Sequence, residues 1–258
     1  MFDSTTDSVT YDYPPPADWH ESLQNIDNAS GIMESKALDL GCGPGRFLEP
    51  LSVALNTNVY GADFSQVMLD AAKKNTEGKF PLVLADAERL PFRERCFDFV
   101  LLRYILHHIR DHQQMINEVS RILKLGGFAV VETSDVNFLK SHRDYIDFPG
   151  IREMDLSRWP LESDIRKWMS SSGLEFFSSQ SISLIREKLP LDEYLERLER
   201  WKCYGGGTSF RRLFSSEERE RYVSIRREDL KSCGVNYVVP IMTNSVMITF
   251  RMRTGITP

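Results

Sequence analysis

KALDLGCGPGRF, residues 36–47, is the stretch whose reading decides the fold. Lys36–Leu40 is a short apolar run that ends in a glycine cluster, Gly41-Cys42-Gly43-Pro44-Gly45. Beyond it Phe47, Leu48, Leu51 and Leu55 recur at helical spacing. Strand, glycine turn and helix in that order open a βα unit. Glycines let the backbone approach a ligand closely, and the first amides of the helix point at anionic or polar groups.

The alternation continues outward from this unit. Asn58–Ala62 reads as a second strand, and Ser65 caps a helix carrying Val67, Met68 and Ala71. Phe80–Leu84 reads as a third strand. Phe97–Leu102 is almost wholly apolar, as a strand buried on both faces should be. His112–Lys124 places Met115, Ile116, Val119, Ile122 and Leu123 on one side and is expected to stop at Gly126-Gly127. Phe128–Glu132 is the fifth strand. Five strands alternating with helices imply right-handed crossovers and a parallel sheet. Leu161–Ser172 reads as a further helix, Leu174–Arg186 as a sixth strand, and Ser245–Met252 as a last strand at the edge. The fold class is α/β: a doubly wound, mostly parallel seven-stranded sheet with an antiparallel edge strand and a helical cap inserted before the last strand.

Residues 1–30 lack periodicity and contain Pro14-Pro15-Pro16, so they read as an N-terminal arm. The main domain takes 31–189 and 233–258. Between them, 190–232 forms the cap. Its first helix, Leu191–Cys203, sets Leu191, Tyr194, Leu195, Leu198 and Trp201 on one face, and a second runs over roughly Ser216–Lys231. The Gly205-Gly206-Gly207 run between them is a candidate hinge, which makes the cap a candidate lid over an acceptor site.

Charge and cysteine usage narrow the function classes. The net charge is −5, yet residues 188–258 carry 13 basic against 9 acidic side chains, leaving −9 on residues 1–187. An acidic body with a mildly basic last third argues against a general nucleic-acid binder and leaves room for a small anionic substrate. Cys42, Cys96, Cys203 and Cys233 are scattered, without a C-x-x-C pair, so a reducing compartment is the default. No apolar stretch approaches the ~18 residues of a membrane span, and the first residues lack the pattern of a signal peptide. The expected location is the cytoplasm. No His/Asp/Glu spacing gathers metal ligands.

The acids after the strands carry the chemistry. A dinucleotide site would want G-x-G-x-x-G and one acid ~20 residues on. Here the turn is G-x-G-x-G, Asp63 stands 22 residues after Gly41, and a second acid, Asp86, follows the third strand. A dinucleotide has no standard use for that second acid, whereas a ligand with one ribose and one adenine does. Asp63 can accept both ribose hydroxyls, Asp86 can accept from the adenine amino group, and the Ala87 amide can reach a ring nitrogen.

With ALDLGCGPGRF (37–47), VYGADFSQVMLDAAKK (59–74), LADAERLPFRERCFDFVLLRYILHHI (84–109) and EVSRILKLGGFAVVE (118–132), the chain resembles class I, Rossmann-like S-adenosylmethionine-dependent methyltransferases of the ubiquinone/menaquinone-biosynthesis type and their small-molecule relatives. The resemblance implies S-adenosyl-L-methionine as cofactor and S-adenosyl-L-homocysteine as product. It implies that Gly41 and Gly43 pass beside the methionine part, Asp63 binds the ribose, Phe64 and Met68 flank the adenine, and Asp86 and Ala87 read its edge. Arg103 takes a cofactor-contact position where the family usually has a small residue, so it could instead hold an acidic group of cofactor or substrate. Plainer roles compete: Asp39 as a structural acid, Phe64 and Met68 as core, Cys42 as a small filler.

The sulfonium carries the activation, so the protein mainly supplies in-line approach and desolvation. His107 and His108, after the fourth strand, are candidate general bases for a hydroxyl acceptor, since an imidazole titrates near ~6.5. The partner is then a small organic methyl acceptor, partly aromatic or anionic. Aromatics of the cap and of the loop 134–160, among them Tyr145, Phe148 and Trp159, suit such a molecule. Two alternatives stand beside this reading: a tRNA-modifying enzyme and a non-catalytic S-adenosylmethionine-binding protein. A DNA amino-methyltransferase is not expected, because Arg103-Tyr104-Ile105-Leu106 stands where N/D-P-P-Y/F would be.

Overall fold

The computed structural model describes residues 36–136, 153, 156–193, 196, 215–231 and 238–255. The expected arm, the aromatics Tyr145 and Phe148, most of the helix Leu191–Cys203 and the glycine run 205–207 lie outside them. The elements are β1 (Lys36–Leu40), α1 (Leu48–Leu55), β2 (Asn58–Asp63), α2 (Gln66–Asn75), β3 (Leu82–Leu84), β4 (Phe97–Arg103), a short 3-10 turn (Leu106–His108), α3 (His112–Ile122), β5 (Leu123–Ser134), α4 (Glu162–Ser171), β6 (Leu174–Pro190), α5 (Ser216–Lys231) and β7 (Val238–Met252).

The seven strands form one sheet in the order β3-β2-β1-β4-β5-β7-β6. The pairs among β1 to β5 are parallel, and β7 runs antiparallel to β5 from Phe128 opposite Arg251 to Ser134 opposite Ser245. The expected fold class therefore holds. The place of the last strand is corrected: Ser245–Met252 lies in β7, which sits between β5 and β6 rather than at the edge, and β6 ends the sheet. Both are longer than their apolar runs, reaching Pro190 and starting at Val238.

Local chemistry explains the central elements. Phe97–Leu102 of β4 is buried throughout, which a strand sandwiched between two helical layers requires. α3 starts where the Asp111 carboxylate accepts from the Gln114 amide at 2.9 Å, and it turns Met115, Ile116, Val119 and Ile122 into the core. Each of these burials is worth roughly 1.5–3 kcal/mol. α2 is capped as expected, the Ser65 hydroxyl accepting from the Met68 amide.

One boundary differs. α3 ends at Ile122, and Leu123 already pairs with Phe97, so Gly126-Gly127 lies within β5 rather than stopping the helix. The pairing of β4 with β5 then jumps from Leu123 to Phe128. Gly126 takes φ +79°, and a side chain on Gly127 would sit 2.8 Å from the Asp98 carbonyl. The glycines serve a kink in the strand.

The chain divides into two compact units: Met1–Asp135 with Arg158–Ile182 and Ser245–Pro258, and Val136–Ser157 with Ser183–Asn244. The first holds the sheet's parallel half with α1 to α4. In the second, α5 coincides with the expected second cap helix and buries Val223. Among the described residues no helix is long and apolar enough to cross a membrane.

Candidate functional site

The carboxyl ends of β1, β2, β4 and β5 all belong to the first unit, and ligands of open α/β sheets bind outside such ends. After β1, the Gly41 and Cys42 amides both donate to the Ala62 carbonyl of β2, at 2.8 and 3.0 Å, which folds the turn back onto the neighbouring strand. Gly41 sits at φ +79°, and a Cβ there would lie 2.8 Å from the Ile105 side chain. Gly43 sits at φ +51° with open space where its side chain would be. The two glycines thus differ: one is required by packing, the other faces room for a ligand.

Asp63, at the end of β2, fastens the turn. One carboxylate oxygen accepts from the Gly43 amide at 2.9 Å and the other from the Ser65 amide at 2.9 Å. Burial raises its carboxyl above the usual range, while the amides of Ser65, Gly43 and Phe64 oppose that shift. A carboxylate has about four acceptor sites, so this one keeps capacity for donors from a ligand.

Beyond Asp63 the rim is open. Phe64 is 76% exposed, which excludes a core role, and Met68 is half-buried. Asp86 is exposed, and its carboxylate accepts from the Glu88 amide at 2.9 Å in a local turn. Ala87 is buried within that turn. Asp86 therefore stands as a turn residue whose remaining acceptor sites face outward.

Charge on the other side is held differently. Asp39 of β1 and Glu132 of β5 are each only 2% exposed. Arg103, ending β4, donates from Nε to Glu132 Oε2 at 2.8 Å, and its guanidinium lies 3.7 Å from the Phe47 ring centroid. Burial pushes the Asp39 carboxyl up to about 7; Arg103 opposes the shift, and Asp63 and Glu132 reinforce it. The Cys42 thiol is buried and pushed well up by burial, which suits a filler and not a nucleophile.

Sequence reading missed the Arg103–Glu132 pair. Its only trace is an acid, Glu132, directly after the apolar run Phe128–Val131, where an unpaired charge would be costly.

The histidines occupy an aromatic stack. The His107 ring lies 3.8 Å from the His108 ring and 3.9 Å from Trp159, and Tyr104 meets Trp159 edge-on at 5.9 Å. Tyr104 takes φ +50°, a turn that sends the chain from β4 into the 3-10 segment. His107 Nδ1 is buried without a hydrogen-bond partner among the described residues. Burial, then His108 and Arg158, lower its basicity far below that of a free imidazole. His107 is thus placed to pack, while His108 is exposed.

A glycine turn clasped by the second strand's acid, in a sheet of this order, defines a Rossmann-like α/β fold. Comparison with known proteins agrees. Residues 38–131 match the family model described as a methyltransferase domain. A demethylmenaquinone methyltransferase of Bacillus mycoides (strain KBAB4) is 32% identical over 133 residues, 49% of this chain and 55% of that relative. One from Staphylococcus aureus (strain MRSA252) is 39% identical over 104 residues, 38% of this chain and 43% of that relative. The chain spans about half the length of the curated relatives it matches. In fold, a SAM-dependent methyltransferase from Methanosarcina mazei is similar with a TM-score of 0.59 at 14% identity, over 89% of this chain and 98% of that one.

Proposed function

We propose that this protein transfers a methyl group from S-adenosylmethionine to a small organic metabolite in the cytoplasm, releasing S-adenosylhomocysteine. The observation that carries the reading is the Asp63 carboxylate fastened to the Gly43 amide, beside a turn with open space at Gly43 and an exposed Phe64. That arrangement fits a single nucleoside. The Gly41 and Gly43 backbone would line the methionyl arm, Asp63 would accept from the ribose, Phe64 and Met68 would flank the adenine, and Asp86 with Ala87 would meet its edge.

When bound, the sulfonium supplies an activated methyl group for in-line displacement. The chain's share is to orient and to exclude water. For a hydroxyl acceptor, His108 is the better candidate base, because His107 is packed and weakly basic. The Tyr104, His107 and Trp159 rings give the rim beyond β4 an aromatic surface suited to a partly aromatic acceptor. Demethylmenaquinone, named in the relatives, is the first acceptor to test.

The test is calorimetry with S-adenosylhomocysteine and with NAD, followed by transfer of labelled methyl to demethylmenaquinone, metabolite extract and total tRNA. S-adenosylhomocysteine should bind and NAD should not, with label entering a small molecule. Tighter binding of NAD, label entering tRNA alone, or binding without turnover would each sink the reading.

A further inference from the structure

Arg103 ends the fourth strand, and its surroundings say what it serves. Its Nε is spent on Glu132 Oε2 at 2.8 Å. Its plane is fixed against Phe47, 3.7 Å from the ring centroid, and the Tyr104 ring lies 4.9 Å away. Both terminal amino groups, four of the five N–H donors, make no hydrogen bond among the described residues. The side chain is 16% exposed and its terminal nitrogens are not among the fully buried unpartnered atoms, so these donors face accessible space and are open to a ligand. Phe47 caps α1 directly after the glycine turn, so the fork stands beside the turn that faces open space at Gly43.

We propose that Arg103 binds the carboxylate of the cofactor's methionyl arm, a reading that rests on the proposed S-adenosylmethionine site. A planar fork held by a stack and an anchored Nε is pre-organised for two parallel N–H···O bonds to a carboxylate. The charges nearby suit the rest of the arm. Asp63 and Glu132 supply the negative charge near the guanidinium, with Asp39 pushed up to about 7 and keeping its proton below that, a field that favours the ammonium and sulfonium groups. A zwitterionic arm meets both signs: its anion goes to Arg103 and its cations to the acids.

The ligand pair that isolates this contact is S-adenosylhomocysteine, which carries the carboxylate, and 5′-methylthioadenosine, which lacks the amino-acid arm. Both are titrated calorimetrically into the full-length wild type, Arg103→Gln and Arg103→Lys. Arg103→Gln should weaken S-adenosylhomocysteine by about ten- to a hundredfold and leave methylthioadenosine within about twofold. Arg103→Lys keeps the charge beside Glu132 but loses the fork, so it should fall between. Should the glutamine variant fail to fold, the lysine variant decides: a loss selective for S-adenosylhomocysteine supports the assignment, and no selective loss overturns it. Equal weakening of both ligands, or unchanged S-adenosylhomocysteine with a raised acceptor KM, also overturns it. A wild type that binds neither ligand brings down the cofactor reading together with this one.

Discussion

At the ends of β2 and β3, Phe64, Leu84 and Asp86 stand exposed, and Asp63 is held by the amides of Gly43 and Ser65. At the ends of β4 and β5, Arg103, Glu132 and the His107–Trp159 stack fill the space with side chains, and charge is met by charge. The first half is shaped by backbone. Its acid keeps acceptor capacity, and its apolar groups have nothing to lose by receiving a ring. The second half is shaped by side chains that depend on one another, so changes there should reach the fold as well as the ligand.

The largest effect should come from the ion pair. Glu132→Ala leaves the Arg103 guanidinium without its partner in a mostly buried setting and should lower unfolding free energy by on the order of 3 kcal/mol. Replacing both residues with leucine should recover part of that loss. Urea denaturation of the single and double variants measures it, and a single-variant cost under about 1 kcal/mol would erase the contrast between the halves.

Next comes pH. Asp39 has a folded-state value of about 7 against 3.8 in the open chain. The folded state therefore keeps a proton that the unfolded chain releases. Its stabilising share is fully present below about 3.8 and is lost as pH rises to about 7. Asp39→Asn, which cannot ionise, should gain on the wild type across that window by a few kcal/mol. Denaturation of both proteins near ~pH 5 and ~pH 8 gives the comparison. The same gap at both pH values would show Asp39 ionised throughout.

On the open side the effect should fall on binding. Asp63→Ala should weaken S-adenosylhomocysteine by about 1.5–3 kcal/mol, read by calorimetry, through the loss of a charge-assisted acceptor. An unchanged dissociation constant would reduce Asp63 to a clasp for the turn.

The glycine pair gives the smallest and sharpest comparison. Gly43→Ala meets no neighbour and should cost about 1 kcal/mol of stability for its left-handed backbone, with a clear loss of ligand affinity. Gly41→Ala carries the same backbone cost plus the contact with Ile105, and should be the less stable of the two. Melting curves that rank them the other way would show that Ile105 yields.

Much of this was legible in advance because it is local. The period-two and helical patterns of 36–132, the Ser65 cap and the glycine turn are set by neighbours in the chain, and the elements appear where those patterns place them. Asp63 was legible too, since a strand end followed by a capped helix leaves an acid little freedom. The end of α3 was not. Gly126-Gly127 carries the signature of a helix stop, and only the pairing of Leu123 with Phe97 claims those residues for a strand.

By itself, then, the chain's pattern determined a parallel α/β sheet, the turn at Gly41–Gly45 and the acids that follow the strands, because each depends on spacings of a few residues. Tertiary structure decided which of those groups have partners. Arg103 meets Glu132 across 29 positions of sequence, Gly43 meets Asp63 across 20, and β7 enters between β5 and β6. Such pairings arise when separate strands are laid side by side, and no local pattern encodes the distance between residues on different strands.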